Sequence, residues 1–363
     1  MKRVLMVSCG GLGNGGVQAI MMGIVRNLSN KYHFDMLVFT NEVRHYDNEF
    51  LSYGGKIFRI PLYSGCNWLM QKFGTLQKDN YTYRKLKKIL KQETPYDIIH
   101  CNREMDSAPI LKAAYDVGIP IRICHTHIIN QEGSILRKIL NKWNRKRILR
   151  YANRQIGCSE EACLALYGSN THYSIINNFY DDNKYKTSEM SRHAESKELI
   201  ISQLGAISNI KNQIFSVKVL SEILKKGFKA KLNIIGFVLE ESYESKLAEY
   251  IEKNGLSEFV KWHPGDCDIP SVLASSSFFI MPSLHEGFGI ALIEAQAVGL
   301  RCFASTGVPS ATNCGGVIYL DLNKGPLYWA NCIVQSIEAN PCNIDTRVYK
   351  LSNVMQEYSL LYS

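Results

Sequence analysis

The chain has 363 residues, of which 46% are hydrophobic and 21% are charged. This composition is typical of a globular protein of about two domains and excludes an intrinsically disordered chain. The net charge of +9 accompanies no nucleic-acid recognition motif, and no apolar run reaches the roughly 18–20 residues of a membrane-spanning helix, so we expect neither nucleic acid as a partner nor a membrane span.

The predicted elements alternate between short apolar runs and longer helical patterns. The predicted strands are 4–8, 34–40, 98–101, 121–125, 155–159, 199–205, 231–236, 260–263, 278–282 and 301–305. The predicted helices are 17–28, 83–91, 108–117, one from 160, 213–225, 241–254, 269–274, 290–298 and 348–361. This alternation predicts an α/β fold with parallel sheets and helices on both faces.

One polar stretch, 181–197, interrupts the alternation and predicts a linker. We therefore expect two Rossmann-like, doubly wound parallel-sheet domains, 1–185 and 198–345, with a C-terminal helix within 346–363 that packs back on the first domain. Ligands of such sheets bind beyond the carboxyl ends of the strands, which favours a site in a cleft between the domains. Because the apolar part of the first eight residues is too short for a signal peptide, we expect a cytoplasmic protein.

The eleven cysteines are an odd number, and no C-x-x-C pair occurs. This usage predicts reduced thiols in the core rather than a disulfide framework or a zinc site. We expect no metal site in the protein.

A basic segment, 135–150, carries seven arginine and lysine residues and no acid. Apolar residues interleave with them at helical spacing, which predicts an amphipathic basic helix. Such a helix can lie on an anionic membrane surface, or it can be an ordinary solvated helix face, and the sequence leaves both interpretations open.

The most informative segment is 283–299, whose sequence is SLHEGFGIALIEAQAVG. A predicted strand ends before it and a helix begins within it, so the backbone N–H groups and the positive end of the helix dipole can face a pyrophosphate. Glu286 and Glu294 are eight positions apart, about 12 Å if the segment is helical throughout. One carboxylate could contact the sugar of a nucleotide-sugar and the other its ribose. Two solvent-facing acids are the alternative.

The Glu-x7-Glu segment, with its EGFG opening at 286–289, resembles the signature of glycosyltransferase family 4. Its EAQAVGL ending resembles the exopolysaccharide and capsule-synthesis branch of that family. Further matches follow in order: GGV at 15–17, ICHTH at 123–127, IGCS at 156–159, INNFYD at 176–181 and GAISNIKN at 205–212. The resemblance implies the GT-B fold, with two Rossmann-like domains facing a central cleft, and a retaining enzyme that needs neither a metal nor a cofactor.

The resemblance also implies a reaction. A sugar would pass from a nucleotide-sugar, which we expect to be UDP-linked and to act as co-substrate, to a lipid-linked or polysaccharide acceptor in exopolysaccharide or capsule synthesis. Together with the basic segment 135–150, this implies a peripheral location at the inner face of the cell membrane.

In the second domain the resemblance assigns Glu286 to the donor sugar, Glu294 to the ribose and Lys211 to the diphosphate, with Asn212 as a further candidate. Backbone amides expected to face the phosphates and the sugar are those of Gly287, Phe288 and Gly289. Negative charge builds on the leaving diphosphate as the sugar bond breaks, so fixed positive groups there stabilise the transition state more than the ground state.

In the first domain the resemblance assigns Gly15 and Gly16 to a close approach of the backbone to the diphosphate, which glycine permits. His127, at the end of a predicted strand, is expected to contact the transferred sugar. His125, two residues earlier, points the same way if the strand continues. The register of the resemblance favours His127 over His125.

Three positions depart from the family pattern. Near Ala311, a loop acid that the family often has is missing. Ala206 stands where the family usually has an arginine that shares the diphosphate with the lysine, and Phe179 stands where a glycine is usual. The missing arginine favours an alternative function, a scaffold or sensor that binds a nucleotide-sugar without turnover.

Two further motifs offer other interpretations. Residues 11–16, GLGNGG, contain a literal G-x-G-x-x-G between a strand and a helix, so an NAD-dependent enzyme is an alternative, with Glu42 as its ribose acid. The sequence DCD at 266–268 spells the D-x-D of metal-dependent glycosyltransferases of another fold. We favour a helix-capping role for Asp268 instead.

Overall fold

The computed structural model describes residues 1–62, 68–127, 135–185 and 198–363, and all their side chains except those of 68–76 and 135–137. Residues 186–197, most of the predicted linker, lie outside this description. The chain divides into two compact units: Met1–Phe179 with Leu351–Ser363, called the first unit, and Tyr180–Lys350, called the second unit.

Within the described residues, the first unit is built on a seven-stranded parallel sheet of order β3-β2-β1-β4-β5-β6-β7. The strands are β1 (Lys2–Val7), β2 (Tyr32–Val38), β3 (Ile57–Arg59), β4 (Ile98–Cys101), β5 (Ile121–Thr126), β6 (Arg154–Gly157) and β7 (Ser174–Ile175). The helices are α1 (Gly16–Leu28), α2 (Asp47–Ser52), α3 (Trp68–Gln92), α4 (Ser107–Asp116), α5 (Ile135–Tyr151) and α6 (Glu160–Tyr167). The central strands β1 and β4 are buried along nearly their whole length, which explains why they read as unbroken apolar runs.

The second unit repeats this plan in its described part, with six parallel strands in the order β10-β9-β8-β11-β12-β13. The strands are β8 (Leu199–Leu204), β9 (Ala230–Ile235), β10 (Val260–His263), β11 (Phe278–Met281), β12 (Arg301–Ser305) and β13 (Val317–Leu320). The helices are α7 (Gln213–Lys225), α8 (Glu241–Lys253), α9 (Ile269–Ala274), α10 (Ile290–Ala297) and α11 (Gly325–Gln335). Its core is a separate apolar cluster centred on residues such as Leu232, Phe303 and Trp329.

The last helix, α12 (Leu351–Tyr362), belongs to the first unit. The ring of Tyr362 meets the ring of Tyr32 edge-on at 5.3 Å, and Lys2 Nζ donates to the Tyr362 carbonyl at 3.1 Å. The end of the chain is therefore fixed against β1 and β2, at the start of the same unit.

In each sheet the order in which strands are added reverses beside the first strand. The chain runs from β1 outward to β2 and β3 and then continues at β4 on the other side, and it does the same from β8 to β11. Such a reversal opens a crevice at the carboxyl ends of the two strands. The loops after β1 and β4 therefore meet in the first unit, and the loops after β8 and β11 meet in the second.

The two parallel α/β units confirm the predicted fold class of two doubly wound domains. The division falls between Phe179 and Tyr180, just ahead of the predicted linker at 181–197. Elements that the sequence did not predict are α2, α11, β3, β7 and β13, and α3 is longer than predicted. A search of the described helices finds none with the length and apolar character needed to cross a membrane.

Candidate functional site

The turn between β11 and α10 leaves a helix end open. Gly289 precedes the helix with φ 93°, a left-handed conformation that glycine adopts without strain, and it offers no capping side chain. The first backbone N–H groups of a helix have no partner within it. The start of α10 is therefore suited to binding an anion.

The two loops at the crevice of the second unit are joined by hydrogen bonds. The Leu284 N–H donates to the Ile210 carbonyl at 2.8 Å, and Asn212 Nδ2 donates to the Pro282 carbonyl at 3.1 Å. Asn212 itself has φ 56°, where asparagine is among the better-tolerated residues. Asn212 thus serves in this structure to hold the loop after β8 against the loop after β11.

This joining brings Lys211 and Glu286 together. Lys211 Nζ lies 2.5 Å from Glu286 Oε1, which also accepts from the Ser283 hydroxyl at 2.7 Å. The Glu286 side chain is 9% exposed and that of Lys211 is 24% exposed. Glu286 lies in the turn ahead of α10, so the helical spacing of about 12 Å to Glu294 does not apply.

Gly287 and Phe288 complete the turn. The Phe288 side chain is buried, and its ring meets that of Tyr349 edge-on at 5.8 Å. Only the backbone of Phe288 is therefore free to face a ligand, which suits the amide role expected for it. The side chain instead anchors the turn to the body of the second unit.

Glu294 lies one turn into α10 and is half-buried. The hydroxyl of Tyr185 donates to its carboxylate. Burial raises the pKa of Glu294, and the Tyr185 hydrogen bond opposes this rise in part. One neighbour thus holds this carboxylate in place, and its remaining lone pairs are available to hydroxyl groups of a ligand.

In the first unit, Gly15 precedes α1 without a side-chain cap, so this helix start is open as well. Its backbone is extended, with φ −103°, and an added Cβ would meet only the end of the flexible Gln18 side chain. Backbone strain therefore does not require glycine here. Gly16 is the first residue of α1.

The two predicted histidines lie inside the first unit rather than on an open surface. His127 directly follows β5, and its Nε2 lies 2.9 Å from Asn102 Oδ1. Burial lowers the pKa of His127 to about 4, and Asn178, beside the ring, opposes this in part. His125 is fully buried, and its Nδ1 lies 3.1 Å from Nε2 of His100.

A carboxylate lies beside His127. Glu104 Oε1 accepts from the backbone N–H of His127 at 2.8 Å, and its other oxygen accepts from the Thr126 hydroxyl. Glu104 has φ 50°, an uncommon conformation for a residue other than glycine. Burial raises the pKa of Glu104 to about 7, so its charge is sensitive to pH near neutrality.

Comparison with known families relates part of the chain to one family. Residues 186–313 match the model of the family described as glycosyl transferases group 1. This segment of the chain, which lies mostly in the second unit, is therefore similar to group 1 glycosyltransferases. The assignment to the numbered family 4 stays a prediction.

The chain also has relatives that match most of its length. It is 25% identical over 360 residues to EpsF of Bacillus subtilis (strain 168), which carries a glycosyltransferase name, across 93% of this chain and 88% of EpsF. It is 24% identical over 298 residues to the capsular polysaccharide biosynthesis glycosyltransferase CapH of Staphylococcus aureus, across 78% of this chain and 76% of CapH. The crystal structure of HepE from Anabaena in complex with UDP-glucose matches with a TM-score of 0.72 at 17% identity, across all of this chain and 96% of HepE. The shared fold is GT-B, as the resemblance implied.

The structure thus brings together the predicted residues of the second unit. Lys211, Glu286 and Asn212 meet at the joined loops, and Gly287 to Gly289 lead from them into α10, which carries Glu294. The helix-capping role predicted for Asp268 in the motif at 266–268 is confirmed, since Asp268 caps α9 by accepting from the Ser271 N–H at 3.3 Å. The family match favours the glycosyltransferase interpretation over the NAD-dependent alternative.

Sequence reasoning assigned no individual role to four residues of these sites. Ser283 stands three positions before Glu286, a Ser-x-x-Glu pattern that often marks a hydrogen-bonded turn and could have been noticed. Asn102 and Glu104 follow β4, the strand beside the reversal in chain order, so their position also carried a signal. Tyr185 gave no signal, because its contact with Glu294 depends on the tertiary fold.

Proposed function

We propose that this protein is a glycosyltransferase that transfers a sugar from a UDP-linked donor, with retention of anomeric configuration and without a metal, to a lipid-linked or saccharide acceptor in exopolysaccharide or capsule synthesis. The observation that carries the proposal is the Lys211–Glu286 pair beside the uncapped start of α10. A cation and an open helix end at one point suit a diphosphate, and the neighbouring carboxylate suits a sugar hydroxyl.

The chemistry follows from these charges. The bond between the anomeric carbon and the diphosphate oxygen breaks, an acceptor oxygen bonds to the anomeric carbon, and the acceptor proton leaves with the departing phosphate or to solvent. The leaving group gains negative charge during this step. Lys211 and the helix end supply fixed positive charge, which is the task that a divalent cation performs in metal-dependent enzymes and supports metal independence.

The names of the relatives support the donor and the pathway class. HepE is described in complex with UDP-glucose, and CapH is named for capsular polysaccharide biosynthesis. The test is a panel of UDP-, GDP- and ADP-sugars, with and without lipid-linked and saccharide acceptors, read out by released nucleotide with EDTA present. We expect release from a UDP-sugar, increased by acceptor and insensitive to EDTA, with retention in the anomeric proton signals of the product.

A scaffold or sensor remains the second candidate, favoured by Ala206 in place of an arginine. Calorimetric binding of a nucleotide-sugar, together with no nucleotide release across the whole panel and both acceptor classes, would establish it and exclude the enzyme. Binding of NAD with no binding of any nucleotide-sugar would exclude both.

We further propose that α5 docks this enzyme on the anionic inner face of the cell membrane. Two large apolar side chains of this helix are exposed, Ile139 at 61% and Trp143 at 45%. The exposed cations on the same helix are Lys138, Lys142, Lys146 and Arg150. Arg147 lies 4.2 Å from the Trp143 ring and pairs with Asp79 at 2.7 Å, which fixes the tryptophan against the helix.

Replacing both Lys142 and Lys146 by alanine is expected to weaken binding to phosphatidylglycerol vesicles roughly 30-fold, since each cation near such a surface contributes about 1 kcal/mol. Trp143→Ser removes the apolar anchor and is expected to weaken binding as well. Flotation with anionic and with purely zwitterionic vesicles measures both. The control is Trp262→Ser, which alters a tryptophan of similar exposure, 39%, in the second unit. Equal binding to the two vesicle types would refute the docking.

A further inference from the structure

A buried line of rings connects the C-terminal helix to His127. The Tyr362 hydroxyl lies 2.7 Å from His100 Nδ1, and His100 Nε2 lies 3.1 Å from His125 Nδ1. The rings of His125 and His127 are 3.9 Å apart. All four side chains are buried, so water does not compete for these contacts.

The three histidines are neutral at pH 7. Burial lowers the pKa of His100 to about 3 and that of His127 to about 4, and it lowers the pKa of His125 well below its ordinary value. A neutral imidazole has one N–H donor and one acceptor nitrogen. The direction of one hydrogen bond in the line therefore sets the direction of the next.

The direction is set at the tyrosine. Among the described residues, His100 is the only hydrogen-bond partner of the Tyr362 hydroxyl, so donation by the phenol to His100 Nδ1 is the direction that leaves no buried phenol hydrogen unpaired. His100 then carries its proton on Nε2 and donates to His125 Nδ1. His125 in turn carries its proton on Nε2, a buried nitrogen without a hydrogen-bond partner among the described residues.

His127 takes the same tautomer for a different reason. Asn102 Nδ2 donates to the Val7 carbonyl at 3.2 Å, which turns Asn102 Oδ1 toward His127. An amide oxygen only accepts, so His127 carries its proton on Nε2 and its Nδ1 is the acceptor nitrogen. This Nδ1 is buried and has no partner with hydrogen-bond geometry among the described residues, although Asn178 lies beside the ring and raises the pKa of His127.

We propose that Tyr362, His100 and His125 are positioning residues that hold the ring of His127, the residue that the resemblance assigns to the transferred sugar, in its orientation at the end of β5. The line fixes the ring of His125, and His125 fixes the plane of His127 by direct packing. This inference rests on the proposed function only through the role of His127. In this proposal the last helix, α12, helps to position a residue of the active site.

The end of α12, which carries Tyr362, is held in place by hydrogen bonds to its backbone carbonyls. Lys2 donates to the carbonyl of Tyr362 at 3.1 Å and to that of Ser363 at 2.6 Å, and Arg154 donates to the carbonyl of Leu361. These anchors come from β1 and β6. The helix end is therefore fixed at the position from which it orients His100.

Helix α12 supplies a matched control. Tyr358, one turn earlier, is also fully buried, and its ring lies 6.2 Å from those of both His100 and His125. Its hydroxyl has no hydrogen-bond partner within the described residues. Tyr358→Phe and Tyr362→Phe thus remove the same atom from the same helix, and only the second breaks the line.

The test compares these two variants in the full-length chain by two measurements. The first is the set of ring-nitrogen NMR signals of histidine labelled with ¹⁵N, which distinguish protonated from bare nitrogens. Tyr362→Phe is expected to mix the tautomers of His100 and His125 and to shift the His127 signals, whereas Tyr358→Phe leaves all three unchanged. The second is steady-state kinetics, where Tyr362→Phe is expected to lower kcat about 5- to 10-fold with KM for the donor within about twofold, because the ring is misplaced rather than lost.

Several outcomes overturn the proposal. They are unmoved His125 and His127 signals in Tyr362→Phe, equal effects of the two variants, or a change in KM alone. If Tyr362→Phe does not fold, His100→Gln tests the same line from its middle and is expected to shift the His127 signals. If the wild-type chain releases nucleotide from no donor, the proposed function fails while the NMR comparison still decides whether the line orients His127.

Discussion

Replacing Lys211 by alanine is expected to lower kcat/KM for the donor about 100- to 1,000-fold, the effect of removing one fixed group that stabilises a developing anion. The lysine amine lies 2.5 Å from Glu286 beside the open start of α10, where the proposal places the diphosphate. Ala206 occupies the position at which the resemblance expects a second cation. Initial rates of nucleotide release at low donor concentration measure the loss.

The control is Lys225→Ala, which removes a lysine from the same unit. Lys225 also forms an ion pair, with Glu222 at 2.7 Å, but it is 67% exposed. Lys225 is the last residue of the thirteen-residue helix α7. Lys211 lies just before the other end of this helix, roughly 20 Å away along the helix axis. Rates within twofold of wild type are expected for it, and a similarly small effect of Lys211→Ala would contradict the assigned role.

A structural effect of Lys211→Ala must be separated from the chemical one. Without the lysine, the 9% exposed carboxylate of Glu286 keeps only the Ser283 hydroxyl as a side-chain partner among the described residues. An unpaired carboxylate at such burial can cost about 3 kcal/mol of stability. Thermal unfolding followed by circular dichroism therefore accompanies the kinetics, and the prediction concerns rates measured well below the unfolding midpoint of the variant.

The strands of this fold were largely predictable because parallel strands are buried on both faces and must be apolar. β1, β4 and β11 are buried over nearly all their residues and were predicted within two residues of their observed ends. β13 was missed because it lies at the edge of its sheet and only its last residue is buried. An edge strand carries a weaker apolar pattern than a central one.

The helix predictions failed where the intrinsic helix propensity of the residues disagrees with the tertiary packing. Only the last part of α3 was predicted, because its earlier part contains Gly74, Thr75 and Asn80, which are weak helix formers. α11 was missed although Pro326, in its first turn, is a recognised start signal. That signal was present in the sequence and could have been used.

The site was predictable in part. The turn at Gly289 could be expected from its glycines. The placement of Lys211 and Glu286 in one site followed only from the resemblance, and their ion pair, across 75 residues of sequence, was not predicted. The hydrogen bond of His100 to Tyr362 spans 262 residues. No local pattern encodes it, because it exists only once α12 is docked on the first sheet.

Replacing Glu294 by alanine is expected to weaken binding of UDP roughly 10- to 150-fold, the loss of hydrogen bonds between a charged carboxylate and two ribose hydroxyls. Tyr185 donates to this carboxylate and holds it on α10, and a carboxylate has lone pairs left for further donors. Calorimetric titration of wild type and Glu294→Ala with UDP measures the difference.

The nucleotide itself supplies the control for this prediction. Dideoxy-UDP, which lacks both ribose hydroxyls, is expected to bind wild type and Glu294→Ala with affinities within about threefold of each other, since the interaction that the substitution removes is absent from both complexes. Such a result would locate the lost energy at the ribose. An equal loss for UDP and dideoxy-UDP would mean instead that Glu294 supports the turn through its contact with Tyr185, and the ribose role would then be wrong.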